Sequence, residues 1–91
     1  MYALVWSAGF TRSAGKFIKR HPELRDKFAA VLRQLEYDPF QPQLKYHQLG
    51  GDLMGIQAVS ITYSYRITLT IVVTDKEIIL LDVGSHDEVY R

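Results

Sequence analysis

The side chains in this sequence that are best suited to proton transfer lie at its end. His86 follows Gly84 in the closing segment GSHDEVYR, and Tyr90 comes four residues later. An imidazole titrates near neutral pH, so it can give or take a proton under physiological conditions. Taken singly, a histidine or tyrosine near the end of a chain is more often an ordinary surface residue.

Arg66 is the candidate for binding a phosphate. It is flanked two residues away on each side by Ser64 and Thr68, which share its face of a predicted strand. A guanidinium stays charged and can hold a phosphate through two parallel hydrogen bonds. The alternative is a surface ion pair with an acid on a neighbouring strand. Asp82 in the last predicted strand has two interpretations of its own, because it could orient a base or simply pair with a lysine.

His47 lies in the polar segment KYHQLGG, where a surface role is the simpler interpretation. The sequence contains no glycine-rich phosphate loop, zinc-ligand spacing or nucleophile elbow, and GGD at 50–52 is more simply a turn. We therefore expect neither a metal nor a small-molecule cofactor.

Hydrophobic periodicity predicts the elements that position these residues. The segment YALVW predicts a short strand, and Ser7 or Thr11 can then cap a helix. The apolar residues between positions 10 and 21 form one stripe with a 3.6-residue repeat. Pro22 suits the first turn of a second helix, which the two prolines of YDPFQP end.

The second half of the sequence has a period of two. In residues 59–71 the odd positions are apolar or aromatic and the even ones polar, so two strands are predicted, with a break near 62–64. A turn at 74–76 then leads into a last strand, EIILLDV. This order predicts an α+β fold, in which an N-terminal strand and an antiparallel helical hairpin pack on a mostly antiparallel sheet of four or five strands. The opposite face, with Arg66, is predicted to be open.

Composition limits the class of protein. At 91 residues we expect a single domain, 1–91, with a small core. The chain has no cysteine and no apolar run near the roughly 20 residues of a membrane span, so we expect a cytoplasmic protein without membrane contact. The net charge is +1, with basic residues concentrated in 1–50. This basic half could meet phosphate or be only a solvated helix surface.

The order of these features resembles the RelE/ParE superfamily of bacterial toxins from toxin–antitoxin pairs, and within it the RelE- and YafQ-type ribosome-dependent mRNA endonucleases. The resemblance rests on a leucine–glycine step after the second helix, a strand pair leading into YRI, and a closing GxHxxxY motif, here Gly84, His86 and Tyr90. It extends over nearly the whole chain, from ALVWS to Tyr90.

The resemblance implies a metal-free cleavage in which the ribose 2′-OH attacks the adjacent phosphate and leaves a 2′,3′-cyclic phosphate. It matches His86 to an acid/base histidine, Tyr90 to an aromatic near the scissile nucleotide, and His47 to the histidine before the leucine–glycine step. Arg66 matches an arginine that contacts the phosphate. The acid and base roles are not divided between the two histidines. Further substrate-binding residues expected around them are Lys45, Ser64, Tyr65 and Asp82.

Two other interpretations stay open, because three positions of the expected active face lack the charge that many members carry. These positions are Ser60, Ser64 and Asp82. The first alternative is a ParE-like toxin that inhibits DNA gyrase by protein–protein contact, and the second is a catalytically weak relative that mainly binds the antitoxin. The presence of the His86 and Tyr90 pair favours RNA cleavage.

All three interpretations predict a cognate antitoxin as partner, and the nuclease interpretation adds the ribosome and mRNA. We expect the antitoxin to wrap the helical hairpin or extend the sheet edge. The free domain should then expose apolar surface around Trp6, Phe10 or Phe40.

Overall fold

A five-stranded sheet organises the chain in the computed structural model, which describes residues 1–90. Its order is β1-β5-β4-β3-β2; β1 and β5 are parallel and every other neighbouring pair is antiparallel. The predicted α+β fold with a mostly antiparallel sheet is therefore confirmed. The strands are β1 (Ala3–Trp6), β2 (His47–Gln48), β3 (Gln57–Ser60), β4 (Tyr65–Val72) and β5 (Glu77–Ser85).

Three α-helices accompany the sheet in the described residues: α1 (Ala8–Arg20), α2 (Arg25–Tyr37) and α3 (His86–Val89). Ser7 caps α1, because its Oγ accepts a hydrogen bond from the Phe10 amide at 3.0 Å. The predicted first turn of α2 is instead a separate 3-10 turn, Pro22–Leu24. No helix within residues 1–90 is long and apolar enough to cross a membrane.

The core lies between the two long helices and one face of the sheet. From the helices, Phe17 packs against Phe28 with ring centroids 5.8 Å apart. The odd positions of β3 and β4 face this core, as their alternation predicts. Of the three residues named for an exposed apolar surface, Phe10 is fully buried and belongs to the core, whereas Trp6 and Phe40 are exposed. The strands contribute Val59, Ile67, Leu69, Ile78 and Leu80.

A bulge interrupts the pairing of β4 with β5. Thr68 pairs with Asp82 and Leu69 with Leu80, so Leu81 has no residue opposite it. The extra residue shifts the alternation of β5 by one position. Val83 therefore returns to the core face, where it is 5% exposed.

The end of the chain is more ordered than the sequence predicts. The last strand was expected to end at Val83, but β5 continues to Ser85 and α3 follows directly. Ser85 Oγ accepts from the Glu88 amide at 3.3 Å, and Glu88 Oε1 accepts from the Ser85 amide at 2.8 Å. These reciprocal bonds form a capping box, which begins α3.

The predicted open face of the sheet is partly covered. Gly84 pairs with Arg66, so the two share this face. A Cβ at Gly84 would come within 3.0 Å of Glu88 Oε1, which shows that α3 folds back over the strand here. Thr68 on the same face is only 4% exposed. Gly84 therefore permits the close approach of α3.

Candidate active site

Tyr90 touches both histidines that the sequence singled out. Its ring packs edge-on against His86, with centroids 4.3 Å apart. Its hydroxyl lies 3.4 Å from His47 Nε2. His47 is 43 positions away along the chain and reaches this point because β2 pairs it with Ala58 of β3. The structure therefore gathers His47, His86 and Tyr90 into one cluster, the His–Tyr cluster.

The hydrogen bonds of His47 define its tautomer. Nδ1 lies 3.0 Å from the carbonyl oxygen of Lys45, which can only accept a hydrogen bond. In the neutral ring the proton is therefore on Nδ1, and Nε2 carries the lone pair. Nε2 faces the Tyr90 hydroxyl, which can donate to it. The imidazole thus presents a proton acceptor at the His–Tyr cluster.

Arg66 is anchored at one nitrogen and free at the others. Nη1 donates to the carbonyl oxygens of Thr62 at 2.7 Å and Tyr63 at 2.8 Å, and it lies 3.3 Å from that of Tyr65. In the part of the chain that the structure describes, Arg66 makes no ion pair, and its Nε and Nη2 make no hydrogen bond. Those two nitrogens can still bind an anion through parallel hydrogen bonds.

Two clefts meet at Arg66. The first, which we call the His86 cleft, has a volume of about 530 Å³. The second, the Lys45 cleft, has a volume of about 270 Å³. The His86 cleft is lined by Tyr63, Ser64, Arg66, Ser85, His86 and Asp87. The Lys45 cleft is lined by Gln43, Lys45, Ser60, Ile61, Thr62, Tyr63 and Arg66.

Four of the eight predicted site residues therefore line these clefts, His47 and Tyr90 join His86 in the His–Tyr cluster, and two lie elsewhere. Arg66, Ser64 and His86 line the first cleft, and Lys45 lines the second. Tyr65 points into the helical side, where its ring contacts Phe17 at 5.3 Å and His21 at 4.6 Å.

Asp82 pairs with Thr68 across β4 and β5, but it lines neither of the two clefts at Arg66. It lines a separate cleft of about 230 Å³ with Lys16 and Arg20 of α1. Its Oδ1 accepts a hydrogen bond from the Val83 amide at 2.9 Å. The structure thus gives Asp82 a local backbone contact and no contact with the His–Tyr cluster.

The sequence interpretation missed the residues that hold α3 in place. Glu88 completes the capping box and also approaches Arg20, with Oε2 3.6 Å from Nη1. The spacing Ser85-x-x-Glu88 is a recognisable capping-box signal. Within residues 1–90, no group of three or more His, Cys, Asp or Glu side chains is arranged to hold a metal ion.

Tyr46 lies next to His47 in the chain and is partly buried. Its ring packs edge-on against Phe40 at 4.9 Å. Burial raises the pKa of the Tyr46 hydroxyl above its ordinary value, and the nearby Tyr2 adds to this increase. The segment that leads into β2 is therefore fixed by packing rather than loose.

Among known proteins, this chain is similar to several solved structures. No family model matches the chain, and no curated protein matches it. Among solved structures, YafQ from E. coli strain BL21(DE3) has a TM-score of 0.83 and 16% identity over 100% of both chains. The YoeB/ParE toxin from Agrobacterium tumefaciens has a TM-score of 0.77 and 19% identity over 92% of this chain and 98% of its own. The E. coli DinJ-YafQ toxin-antitoxin complex has a TM-score of 0.79 and 17% identity over 99% of this chain and 98% of the matched chain.

The architecture is therefore the RelE/ParE toxin fold. The predicted resemblance is confirmed at the level of the fold, over the whole length of the chain for YafQ. Because the fold is shared by YafQ- and YoeB/ParE-type toxins alike, the activity has to be argued from the residues at the clefts.

Proposed function

We propose that this protein is the toxin of a toxin–antitoxin pair and that it acts in the cytoplasm as a ribosome-dependent mRNA endonuclease. The observation that carries the proposal is the His–Tyr cluster, in which Tyr90 touches both His47 and His86. His86 also lines the same cleft as Arg66, whose Nε and Nη2 make no hydrogen bond within residues 1–90. A base, an acid and a cation are the groups that phosphodiester cleavage by a 2′-OH requires.

His47 is the proposed general base. Its Nε2 carries the lone pair, so it can take the proton of the ribose 2′-OH once that hydroxyl replaces Tyr90 as its partner. The 2′-oxygen then forms a bond to phosphorus, and the bond from phosphorus to the 5′-oxygen breaks. The products are a 2′,3′-cyclic phosphate and a free 5′-OH.

His86 is the proposed general acid, and Arg66 the proposed stabiliser of charge. His86 gives its proton to the leaving 5′-oxygen as the bond to phosphorus breaks. Nε and Nη2 of Arg66 bind the phosphate oxygens, on which negative charge increases in the transition state. Tyr90 positions the His86 imidazole through its ring, and its hydroxyl holds His47 until the substrate hydroxyl takes its place.

An antitoxin is the proposed protein partner. The DinJ-YafQ complex is a toxin–antitoxin complex of the same fold, which supports this assignment. Apolar side chains that a partner could cover are present, since Trp6 is 45% exposed and Phe40 52% exposed. The Phe10 ring expected at this surface is buried, so it is not available to a partner.

The test is expression of the chain with and without its antitoxin, followed by primer extension on a translated message. We expect growth arrest without antitoxin and cuts at codons of ribosome-bound mRNA. His86→Gln should lower cleavage by about 10²- to 10⁴-fold, because it removes the proton donor. The matched control is His21→Gln, since His21 packs against Phe17 and Tyr65 and lines neither the His86 cleft nor the Lys45 cleft, so its replacement should leave cleavage unchanged.

Two results would contradict the proposal. Full cleavage by His86→Gln would show that His86 transfers no proton. Growth arrest with intact messages and altered DNA supercoiling would favour the ParE-like alternative, and absence of any arrest would favour a protein that serves only to bind the antitoxin.

A further inference from the structure

Tyr63 is an aromatic residue without a packing role. It lies in the turn between β3 and β4, and its side chain is 92% exposed, more than any other aromatic residue among 1–90. No other ring contacts it in the described part of the chain. The Tyr63 ring is therefore available for contact with a ligand.

The turn that carries Tyr63 is fixed by hydrogen bonds. Arg66 Nη1 donates to the Tyr63 carbonyl oxygen at 2.8 Å and to that of Thr62 at 2.7 Å. The Ser64 amide donates to Thr62 Oγ1 at 3.3 Å. The backbone of Tyr63 is therefore held beside the guanidinium of Arg66.

Tyr63 and Arg66 are the two residues shared by both clefts. The His86 cleft lies on one side of them, and the Lys45 cleft on the other. Lys45 and Arg66 supply positive charge, and Asp87 in the His86 cleft lies 3.7 Å from the His86 ring. A surface with an exposed aromatic ring between cations suits a single strand of nucleic acid, which offers phosphates and flat bases in alternation.

We propose that Tyr63 is a base-stacking site for single-stranded RNA. One unstacked base lies on the Tyr63 ring while a neighbouring phosphate binds Arg66, and the strand continues from one cleft into the other. Because the turn holds the Tyr63 backbone beside Arg66, a base stacked on the ring determines which phosphate lies beside the histidines. The inference rests on the proposed function and adds to it the residue that sets the register of the substrate.

Binding of an uncleavable strand tests the stacking without requiring catalysis. The probe is a fluorescent 2′-O-methyl oligoribonucleotide, which lacks the attacking hydroxyl, and the measurement is its Kd by anisotropy at low salt. Tyr63→Ala should weaken binding about 5-fold to about 150-fold, the range for loss of one stacked base. Tyr63→Phe should stay within about twofold of the natural protein, because its ring still stacks.

Tyr37→Ala is the matched control, because Tyr37 is also an exposed tyrosine, at 74%, but ends α2 and lines neither cleft. It should leave Kd unchanged. An oligonucleotide with an abasic nucleotide at the stacked position should bind the natural protein and Tyr63→Ala equally. Equal Kd values of the two proteins for the abasic oligonucleotide would identify the base, rather than the phosphate, as the group that contacts the Tyr63 ring.

The outcomes separate this inference from the proposed function. Unchanged oligonucleotide binding by Tyr63→Ala overturns the stacking site, even where the natural protein cleaves messages. Unchanged oligonucleotide binding together with weakened antitoxin binding would also overturn it, and would assign the ring to a protein partner. Conversely, ring-dependent binding by a protein that leaves translated messages intact would support the stacking site and contradict the nuclease function.

Discussion

Arg66 combines a structural task and a chemical one in a single side chain. Its Nη1 closes the β3–β4 turn by donating to the carbonyls of Thr62 and Tyr63. Those bonds also orient the guanidinium, so its remaining donors are held in place before any substrate arrives. Donors fixed in advance stabilise a transition state without the cost of reorganisation.

Replacing Arg66 should therefore affect both cleavage and the turn. Arg66→Ala should cost about 2–4 kcal/mol of transition-state stabilisation, roughly 30- to 10³-fold in cleavage rate. Arg66→Lys keeps the charge but loses the planar fork, so we expect it to recover only part of the rate. The measurement is the cleavage rate on a ribosome-bound message.

A control for Arg66 is Arg33→Ala, which removes an exposed arginine from the middle of α2, where it lines neither cleft. It should leave the rate unchanged. Equal rates for Arg66→Ala and the natural protein would mean that Arg66 serves only the turn.

At the scale of elements, α3 is the smallest helix and the one that matters most for the site. It has only four residues, His86–Val89, which is too short to be stable by its own backbone hydrogen bonds. The capping box between Ser85 and Glu88 and the approach of Glu88 to Arg20 supply the missing stabilisation. Because α3 begins with His86 and ends next to Tyr90, these contacts position the His–Tyr cluster.

Loss of the cap should lower cleavage through positioning. Ser85→Ala removes the N-cap oxygen, which typically costs about 1 kcal/mol of stability. We expect kcat to fall while KM changes little, because the histidine is displaced but the clefts remain. Glu88→Ala should act in the same way, whereas Glu88→Gln should recover most of kcat, since glutamine also completes a capping box.

The matched control is Ser7→Ala, which removes the N-cap of α1 at a comparable cost in stability. It should lower the melting temperature to a similar extent without changing kcat. If Ser85→Ala and Ser7→Ala lower kcat equally, the fall in kcat comes from reduced global stability, and α3 does not position the His–Tyr cluster.

The same element shows what the sequence could and could not predict. Alternation in residues 59–71 predicted β3, β4 and the shared face of Ser64, Arg66 and Thr68, because a strand repeats every two residues. The contact between His47 and Tyr90 could not be predicted, since β2 has only two residues and shows no periodicity. The fold-back of α3 depends on the absence of a Cβ at Gly84, a tertiary effect that no local pattern reveals.

For the whole molecule, the raised pKa of Tyr46 predicts how stability changes at alkaline pH. The pKa is higher in the folded chain than in the unfolded chain, so the folded state holds this proton more tightly. The stabilisation is fully present below the ordinary tyrosine pKa of about 10 and is lost as the pH rises through the higher folded value.

The free energy of unfolding should therefore fall above about pH 10, and less steeply in Tyr46→Phe, which has no ionisable hydroxyl. Urea unfolding at a series of pH values from neutral to alkaline measures this free energy for each variant. Tyr37→Phe is the control, because Tyr37 is largely exposed. If the free energy of unfolding falls equally steeply with pH in the natural protein and in Tyr46→Phe, burial does not raise the pKa of the Tyr46 hydroxyl.

The position of β5 in the sheet also has a consequence for how the chain acquires its structure during synthesis. β5 lies between β1 and β4, so Ala3 has no strand partner until Glu77 has been made. Pairing across so long a separation forms late, because the intervening chain must be ordered first. His86 and Tyr90 follow β5 directly, and a nascent chain that stops before β5 has neither a closed sheet nor these two side chains. In a cell that translates this message, a nascent chain that has not reached Tyr90 should therefore lack the proposed nuclease activity, even where its earlier helices have formed.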